Sequence, residues 1–329
     1  MTRKILLILF GLSVTTLFSL EVIGVLRLPL LHVLEFATYD ARVRLSAREN
    51  IDPRIVIVDI DESSQRLEGR WPWRRDTLAR LVDELTETYH AEVVAFDMGF
   101  PEAERDFTVE QLFELAAARN DLVTLERLTL YGPVLDRDAS FAASIENASR
   151  VVLGYIFHHG EENGRTGRLP PPLYPADSKI PEATFAIRAG GYTGNLERFQ
   201  QHAANAGFFS NPVVDPDGVY RSAPMLMEFD GALYPSLPLA VAQTYLGATA
   251  EPVLAPGGDA IGGYPSLEAL NLAGATIPLD ANATTLVPYR GKQGSFAYVS
   301  AADVLRGRIE LPQRLAGTIV LIGTTAAGN

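Results

Sequence analysis

Cysteine is absent from all 329 residues. That removes disulfides, thiolate nucleophiles and Cys-ligated zinc, and it suits a protein on either side of a membrane. Histidine occurs only five times. The adjacent pair His158-His159 would point to opposite sides of an extended strand rather than at one metal, and no HExxH segment is present. No GxSxG nucleophile elbow appears either. Positive charge is in deficit, with 28 Lys and Arg against 40 Asp and Glu and a formal net charge of −12. With a sequence pI near 4.9, the chain offers no field to attract phosphate backbones, which argues against a nucleic-acid partner. The glycine loop Gly323 to Gly328 has the glycine spacing of a phosphate loop but lacks the Lys-[Ser/Thr] that would follow it; it reads as a tight turn after a strand.

What the chain does have is a globular composition, 47% hydrophobic and 21% charged, and one long apolar run. Ile5 to Leu20 carries no charge, and Val22 to Leu26 extends the run past Glu21. At ~1.5 Å per residue a helix of this length covers roughly a bilayer core. Phe18-Ser19-Leu20-Glu21 offers no small-x-small cleavage site, so residues 1–27 read as an uncleaved membrane anchor. Arg3 and Lys4 on one side are balanced by Arg27, Arg42 and Arg44 on the other, and the positive-inside bias sets no orientation. Residues 28–329 then form the second domain, entered through a helix from Leu28 to Arg44.

Turn signals at Glu49-Asn50 and Asp52-Pro53 precede a β-branched run, Ile55 to Val58, with the pattern of a buried strand. The run ends in acid, Asp59-Ile60-Asp61-Glu62, and leads to a Trp71-Pro72-Trp73 corner. Apolar spacings of three and four then predict a helix from Arg75 to Tyr89, and Val93 to Phe96 is a second buried strand ending in Asp97. Strand, helix and strand make a βαβ unit, with its two strands parallel and their acidic ends brought near each other. Phe107 to Arg137 reads as an inserted helical segment or lid. A helix from Ser140 to Ala148 and a strand from Val151 to Phe157 follow, then a breaker-rich loop from Gly160 to Pro181. Further on are a strand, Val219 to Phe229; a helix, Pro235 to Tyr245; a loop or edge hairpin, Gly247 to Ala283; and a strand, Thr284 to Tyr289. A helix from Ser300 to Leu305 and a last buried strand, Thr318 to Ile322, close the chain. The fold class is α/β, a mostly parallel sheet flanked by helices, with an N-terminal transmembrane helix. Ending just after a buried strand, the domain reads as truncated at its C-terminus.

The candidate site is the carboxyl edge of that βαβ unit, where open α/β sheets place ligands. Asp59, Asp61 and Asp97 are candidate ligands for a divalent cation such as Mg²⁺ or Ca²⁺. With Glu62, Arg70, Trp71, Trp73 and Glu102 they are equally candidates for a small-molecule site that would take a cationic or amine-bearing ligand. Crowded carboxylates need counter-charge, and Arg70, Arg74 and Arg75 stand close enough in sequence to supply it without any ligand. Helix capping by Asp or Ser is a further reading. The tryptophans serve either as a cation cage or as a pin for the turn.

An ordered set of motifs resembles the CHASE2 family. It comprises Tyr39-Asp40-Ala41-Arg42, Ile57-Val58-Asp59-Ile60-Asp61-Glu62, Gly69-Arg70-Trp71-Pro72-Trp73-Arg74-Arg75 and Ala95-Phe96-Asp97. It continues with Phe208 to Asn211, Asp215 with Asp217-Gly218, Pro235-Ser236-Leu237, and Val320 to Gly328. The resemblance spans residues 28–329. It implies an extracytoplasmic sensor held in a bacterial inner membrane and facing the periplasm. It also implies a homodimeric assembly and a cytoplasmic output outside this chain: a nucleotide cyclase, histidine kinase, diguanylate cyclase or protein kinase, with an adenylate or guanylate cyclase first. No cofactor is required by this reading beyond a candidate divalent cation, and no catalysis is expected of the chain itself. Two other classes compete: a metal-dependent hydrolase built on Asp59, Asp61 and Asp97, and a structural dimerisation scaffold.

Overall fold

The computed structural model describes the chain apart from residues 1, 23–24, 27–28, 48–50, 105–106, 161–163, 181, 183, 256–266, 293 and 326–329. The turn at Glu49-Asn50, the foot of the anchor at Arg27-Leu28 and the glycine loop from residue 326 onward lie outside the described residues. The chain divides into two units, residues 1–50 with 288–295, and residues 51–287 with 296–329.

Two helices make up most of the first unit, α1 (Thr2–Val22) and α2 (Pro29–Ser46). Within α1, the 19 residues Arg3–Glu21 have a mean hydropathy of 1.7 and none of them is buried against protein. A helix that is apolar on every side and finds no protein to cover it is suited to hydrocarbon. It is long and apolar enough to cross a membrane.

The second unit begins with β1 (Ile55–Asp59), α3 (Glu62–Glu68), α4 (Arg75–Asp83), β2 (Val93–Phe96), α5 (Phe107–Ala118), α6 (Leu122–Leu135), α7 (Arg137–Ala148) and β3 (Val151–His158). It continues through β4 (Arg165–Thr166), β5 (Ile187–Arg188), β6 (Gly191–Thr193), α8 (Glu197–Gln200), β7 (Asn205–Phe208), β8 (Ser222–Pro224), β9 (Leu226–Phe229), β10 (Ala232–Pro235) and α9 (Leu237–Leu246). The remaining elements are β11 (Glu251–Leu254), β12 (Leu267–Leu272), β13 (Ala275–Pro278), β14 (Thr284–Leu286), β15 (Ala297–Ser300), α10 (Ala301–Leu305) and β16 (Ile319–Gly323).

Six strands form the parallel heart of the main sheet in the order β15-β1-β16-β2-β3-β7, and β6 pairs antiparallel with the far end of β3. The βαβ expectation is half right. β1 and β2 are parallel, but β16 lies hydrogen-bonded between them. A strand more than 200 residues later in the chain therefore splits the pair that the local sequence pattern would have joined.

Side-chain alternation assigns the faces of this sheet. Val56, Val58, Val94, Phe96, Val320 and Ile322 pack on one side with α4, α7 and α10, in the largest core cluster. On the other side Val93, Ala95 and Val152 meet Leu237, Ala240 and Val241 of α9. Ile319 and Leu321 are only partly buried there, because α9 covers that face incompletely.

Several boundaries differ from the sequence reading. Glu62–Glu68 is helical, and the helix expected to Tyr89 passes into a π-helical turn at Glu84–Thr88. Phe107 to Arg137 resolves into α5 and α6. The single strand expected from Val219 to Phe229 is two strands in different sheets, β8 paired with β14 and β9 paired with β10. Residues 247–283 contain a three-stranded antiparallel sheet, β11-β12-β13.

Candidate functional site

The acidic end of β1 is built into the fold by short-range capping. Asp61 is the N-cap of α3, where its carboxylate accepts from the Ser64 N–H at 2.7 Å, and it accepts from the Ser300 hydroxyl at 3.1 Å. Burial alone would raise its pKa, but the hydrogen bonds from Ser64 and Ser300 outweigh it and the carboxyl ends below its ordinary value. The fully buried Ser64 hydroxyl in turn accepts from Ala302 N–H at 3.0 Å. One serine thus ties the start of α3 to the start of α10. Asp59 accepts from Thr325 N–H at 3.0 Å and also from the Thr325 hydroxyl. Glu62 lies in the first turn of α3, with its side chain exposed.

The tryptophan corner pins a turn rather than presenting a cage. Trp73 is 4% exposed, and its indole N–H donates to the Gly69 carbonyl at 2.8 Å. Gly69 has φ +101°, a conformation that L side chains rarely adopt, and it ends α3. The Trp71 and Trp73 rings are tilted to each other with centroids 6.3 Å apart, and the Trp71–Pro72 peptide is cis.

The arginines following this corner are engaged away from the β1 acids. Arg74 pairs with Asp76 at 2.6 Å and Arg75 with Asp138 at 3.4 Å, while the Arg75 N–H donates to Glu104 at 2.6 Å. Arg70 is exposed and pairs with no carboxylate among the described residues. Glu102 is exposed, and its backbone carbonyl accepts from Arg75 at 3.2 Å. The counter-charge expected for Asp59 and Asp61 from these arginines is therefore not supplied. Hydroxyl and backbone donors satisfy the two acids instead.

The three candidate metal ligands, Asp59, Asp61 and Asp97, stand on separate elements or beyond them. Among the described residues no group of three or more His, Cys, Asp or Glu is placed to hold an ion. Asp59 and Asp97 end strands separated by β16, which at about 4.8 Å per strand holds them roughly 10 Å apart. Asp61 belongs to a helix cap. The donor set needed by Mg²⁺ or Ca²⁺, several oxygens converging at about 2–2.6 Å, is not assembled from these three.

Asp97 stands apart from the other acids. Its backbone N–H donates to the Ile322 carbonyl at 3.0 Å, which fixes it at the end of β2 beside β16. Its carboxylate has no hydrogen-bond or ion-pair partner among the described residues, and desolvation raises its pKa. It lines a cavity of about 580 Å³ on the incompletely covered face of the sheet. Ile55, Ile57, Ile319 and Leu321 form the cavity floor, and Leu237 and Val241 of α9 form one wall. The size lies within the roughly 300–1,000 Å³ usual for small-molecule sites, and a mostly apolar lining with few polar groups is their usual chemistry.

The polar residues of the cavity divide into engaged and free. Ser210 accepts from Phe157 N–H at 3.0 Å, and Asn211 donates to the Ser222 carbonyl at 3.0 Å. Ser236, at the N-cap of α9, is 3% exposed, and its hydroxyl has no partner among the described residues. It is held against the sheet because β7 carries glycine at 207: a Cβ there would meet the Leu237 backbone at 2.5 Å. Sequence reasoning places Ser236 at a helix start but gives no reason to bring it to Asp97's cavity, since that depends on where β7 pairs. Of the eight candidate site residues named from the sequence, only Asp97 lines this cavity.

Together these features define a mainly parallel α/β domain, with an apolar cavity at the carboxyl ends of its central strands, in a chain that begins with a helix able to span a membrane. The CHASE2 domain family matches residues 14–329, nearly the whole chain, and the protein belongs to that family. CHASE2 is a family of extracytoplasmic sensor domains. No curated protein and no solved structure matches.

Proposed function

We propose that the chain is the sensor region of a transmembrane signal-transduction protein. It binds a small molecule, or registers an envelope signal, outside a bacterial inner membrane and passes the event through α1 to a cytoplasmic output domain. The output is of the adenylate or guanylate cyclase kind, and the assembly is a homodimer. The sensor itself carries out no catalysis. The observation that carries this reading is the family match, which begins inside the apolar helix and runs through the α/β domain. The cavity at Asp97 supports it, because it offers a place where binding energy could bias one arrangement of the domain over another.

The absence of native cysteine makes the topology directly testable. Leu246→Cys places one thiol on a residue that is 48% exposed. A membrane-impermeant maleimide should label it in intact spheroplasts as fully as in lysed ones. Labelling only after lysis would put the domain in the cytoplasm and sink the sensor reading. Cyclic nucleotide formation by membranes carrying the full-length gene product tests the output class. Its absence under ATP and GTP would remove the cyclase while leaving the sensor.

A further inference from the structure

We propose that the cavity between the sheet and α9 binds an amphipathic organic amine, with its ammonium on Asp97, a polar atom on Ser236 and its apolar body along Ile57, Leu321 and Val241. This rests on the sensor reading for its biological sense, but its chemistry stands on the geometry alone. Two independent groups point the same way. Asp97 is an exposed carboxylate lining the cavity, with no protein partner among the described residues and so open to a ligand's charge. Ser236 is a buried hydroxyl lining the same cavity, also unpartnered among them. A buried hydroxyl such as that of Ser236 is rarely left without a partner in a native protein, and one that is calls for an explanation such as a ligand atom.

The lining selects the class of ligand. An inorganic cation would want several oxygens, and among the described residues the only carboxylate lining the cavity is Asp97. An anion would face that carboxylate with no lysine, arginine or histidine among the described lining residues. A purely apolar molecule would cover Ile57 and Leu321 but leave the buried Ser236 hydroxyl without a partner and strip water from the Asp97 carboxylate, which is costly. A cationic head on an apolar body answers all three features. The neighbouring acid Asp59 is on the same face but is occupied by Thr325, so the charge recognition falls on Asp97 alone.

Tryptamine, tryptophol and indole-3-propionate share an indole body and differ in the head group: ammonium, hydroxyl and carboxylate. Calorimetric titration of the full chain in lipid nanodiscs should rank tryptamine above tryptophol, with indole-3-propionate weakest. Asp97→Asn should weaken tryptamine about tenfold, as loss of one charge-assisted hydrogen bond predicts, and should leave tryptophol nearly unchanged. Ser236→Ala should weaken both moderately. Gly323→Leu supplies a second route. A Cβ on Gly323 meets nothing within 4 Å and Gly323 lines the cavity, so the added side chain should occupy part of the cavity without disturbing the fold and weaken binding of every probe.

Equal affinity for the three probes, or a tryptamine affinity untouched by Asp97→Asn in a variant that melts cooperatively, would overturn the proposal. So would affinities for all three probes left unchanged by Gly323→Leu, because the site would then lie elsewhere. Amine-selective binding with a cytoplasmic thiol at position 246 would keep this site and discard the sensor topology. Extracytoplasmic labelling without amine selectivity would do the reverse.

Discussion

Asp59 and Asp97 emerge on the same face of the sheet at the same level, with Gly323 of β16 between them. The register pairs Asp59 with Gly323, and Ile322 with Phe96, so continuing it by one residue sets Gly323 opposite Asp97. Two carboxylates that look equivalent in sequence therefore have opposite fates. Asp59 is closed off by Thr325 immediately beyond β16. Asp97, on the far side of the same strand, looks into a cavity with no donor of its own among the described residues. The glycine between them leaves that space open.

An unpartnered and partly desolvated carboxylate should weaken the fold that carries it. In the unfolded chain Asp97 titrates near its ordinary value of 3.8, and in the folded protein its pKa is higher because of desolvation. The folded state thus holds the proton more tightly, and stability falls as pH rises through the window between the two values. Asp97→Asn cannot ionise. It should melt at a higher temperature than the native protein near pH 7, and the two should converge at about pH 3, below both titrations. Melting curves across this range check it. An Asp97→Asn variant less stable than the native protein near pH 7 would show that the carboxylate has a stabilising partner.

The opposite sign is expected at Asp61. Its carboxyl is held below 3.8 once hydrogen bonds outweigh burial. Its contribution is therefore present above that value and is lost as pH falls through the folded pKa. Asp61→Ala removes an N-cap and should cost about 0.5–2 kcal/mol near neutral pH. Ser64→Ala should cost about 1–3 kcal/mol, because it leaves the Ala302 N–H buried without its acceptor. Urea denaturation measures both. The two changes should be non-additive, since Asp61 and Ser64 both engage the Ser300 hydroxyl.

Local pattern was enough to read β1, β2 and β3, the helix between β1 and β2, and the membrane-length helix, because burial on both strand faces and 3.6-residue periodicity are written in consecutive residues. The fold class followed from them. Pairing was not readable in the same way. Nothing near Val93 indicates that Ile319 to Ile322 will insert beside it, since that choice is made by contacts over 200 residues apart. The site suffered from the same blindness. The Asp-Ile-Asp-Glu run drew attention to β1, where capping absorbs the charge, whereas the free carboxylate sits after β2 and its companion Ser236 arrives through β7. The α3 helix was missed because its acids and serines read equally well as a turn. Only the cap geometry of Asp61 decides between them.

The cavity wall depends on one close approach, and a pair of glycines separates that requirement from a general sensitivity of strand positions. On β7, a Cβ at position 207 would lie 2.5 Å from the Leu237 backbone, and neither main chain can yield without moving α9. Gly207→Ala should destabilise by about 1–3 kcal/mol, the usual cost of overpacking. It should also shift α9 away from Val93, Ala95 and Val152, loosening the wall that holds Ser236. On β16, Gly323→Ala meets open space and should be close to neutral. Denaturation midpoints for the two variants make the comparison, and hydrogen exchange of the α9 amides reports whether the helix has lifted. Equal and small effects at both positions would mean that β7 and α9 are not packed as closely as this geometry requires. Ser236 would then lose its place beside the cavity.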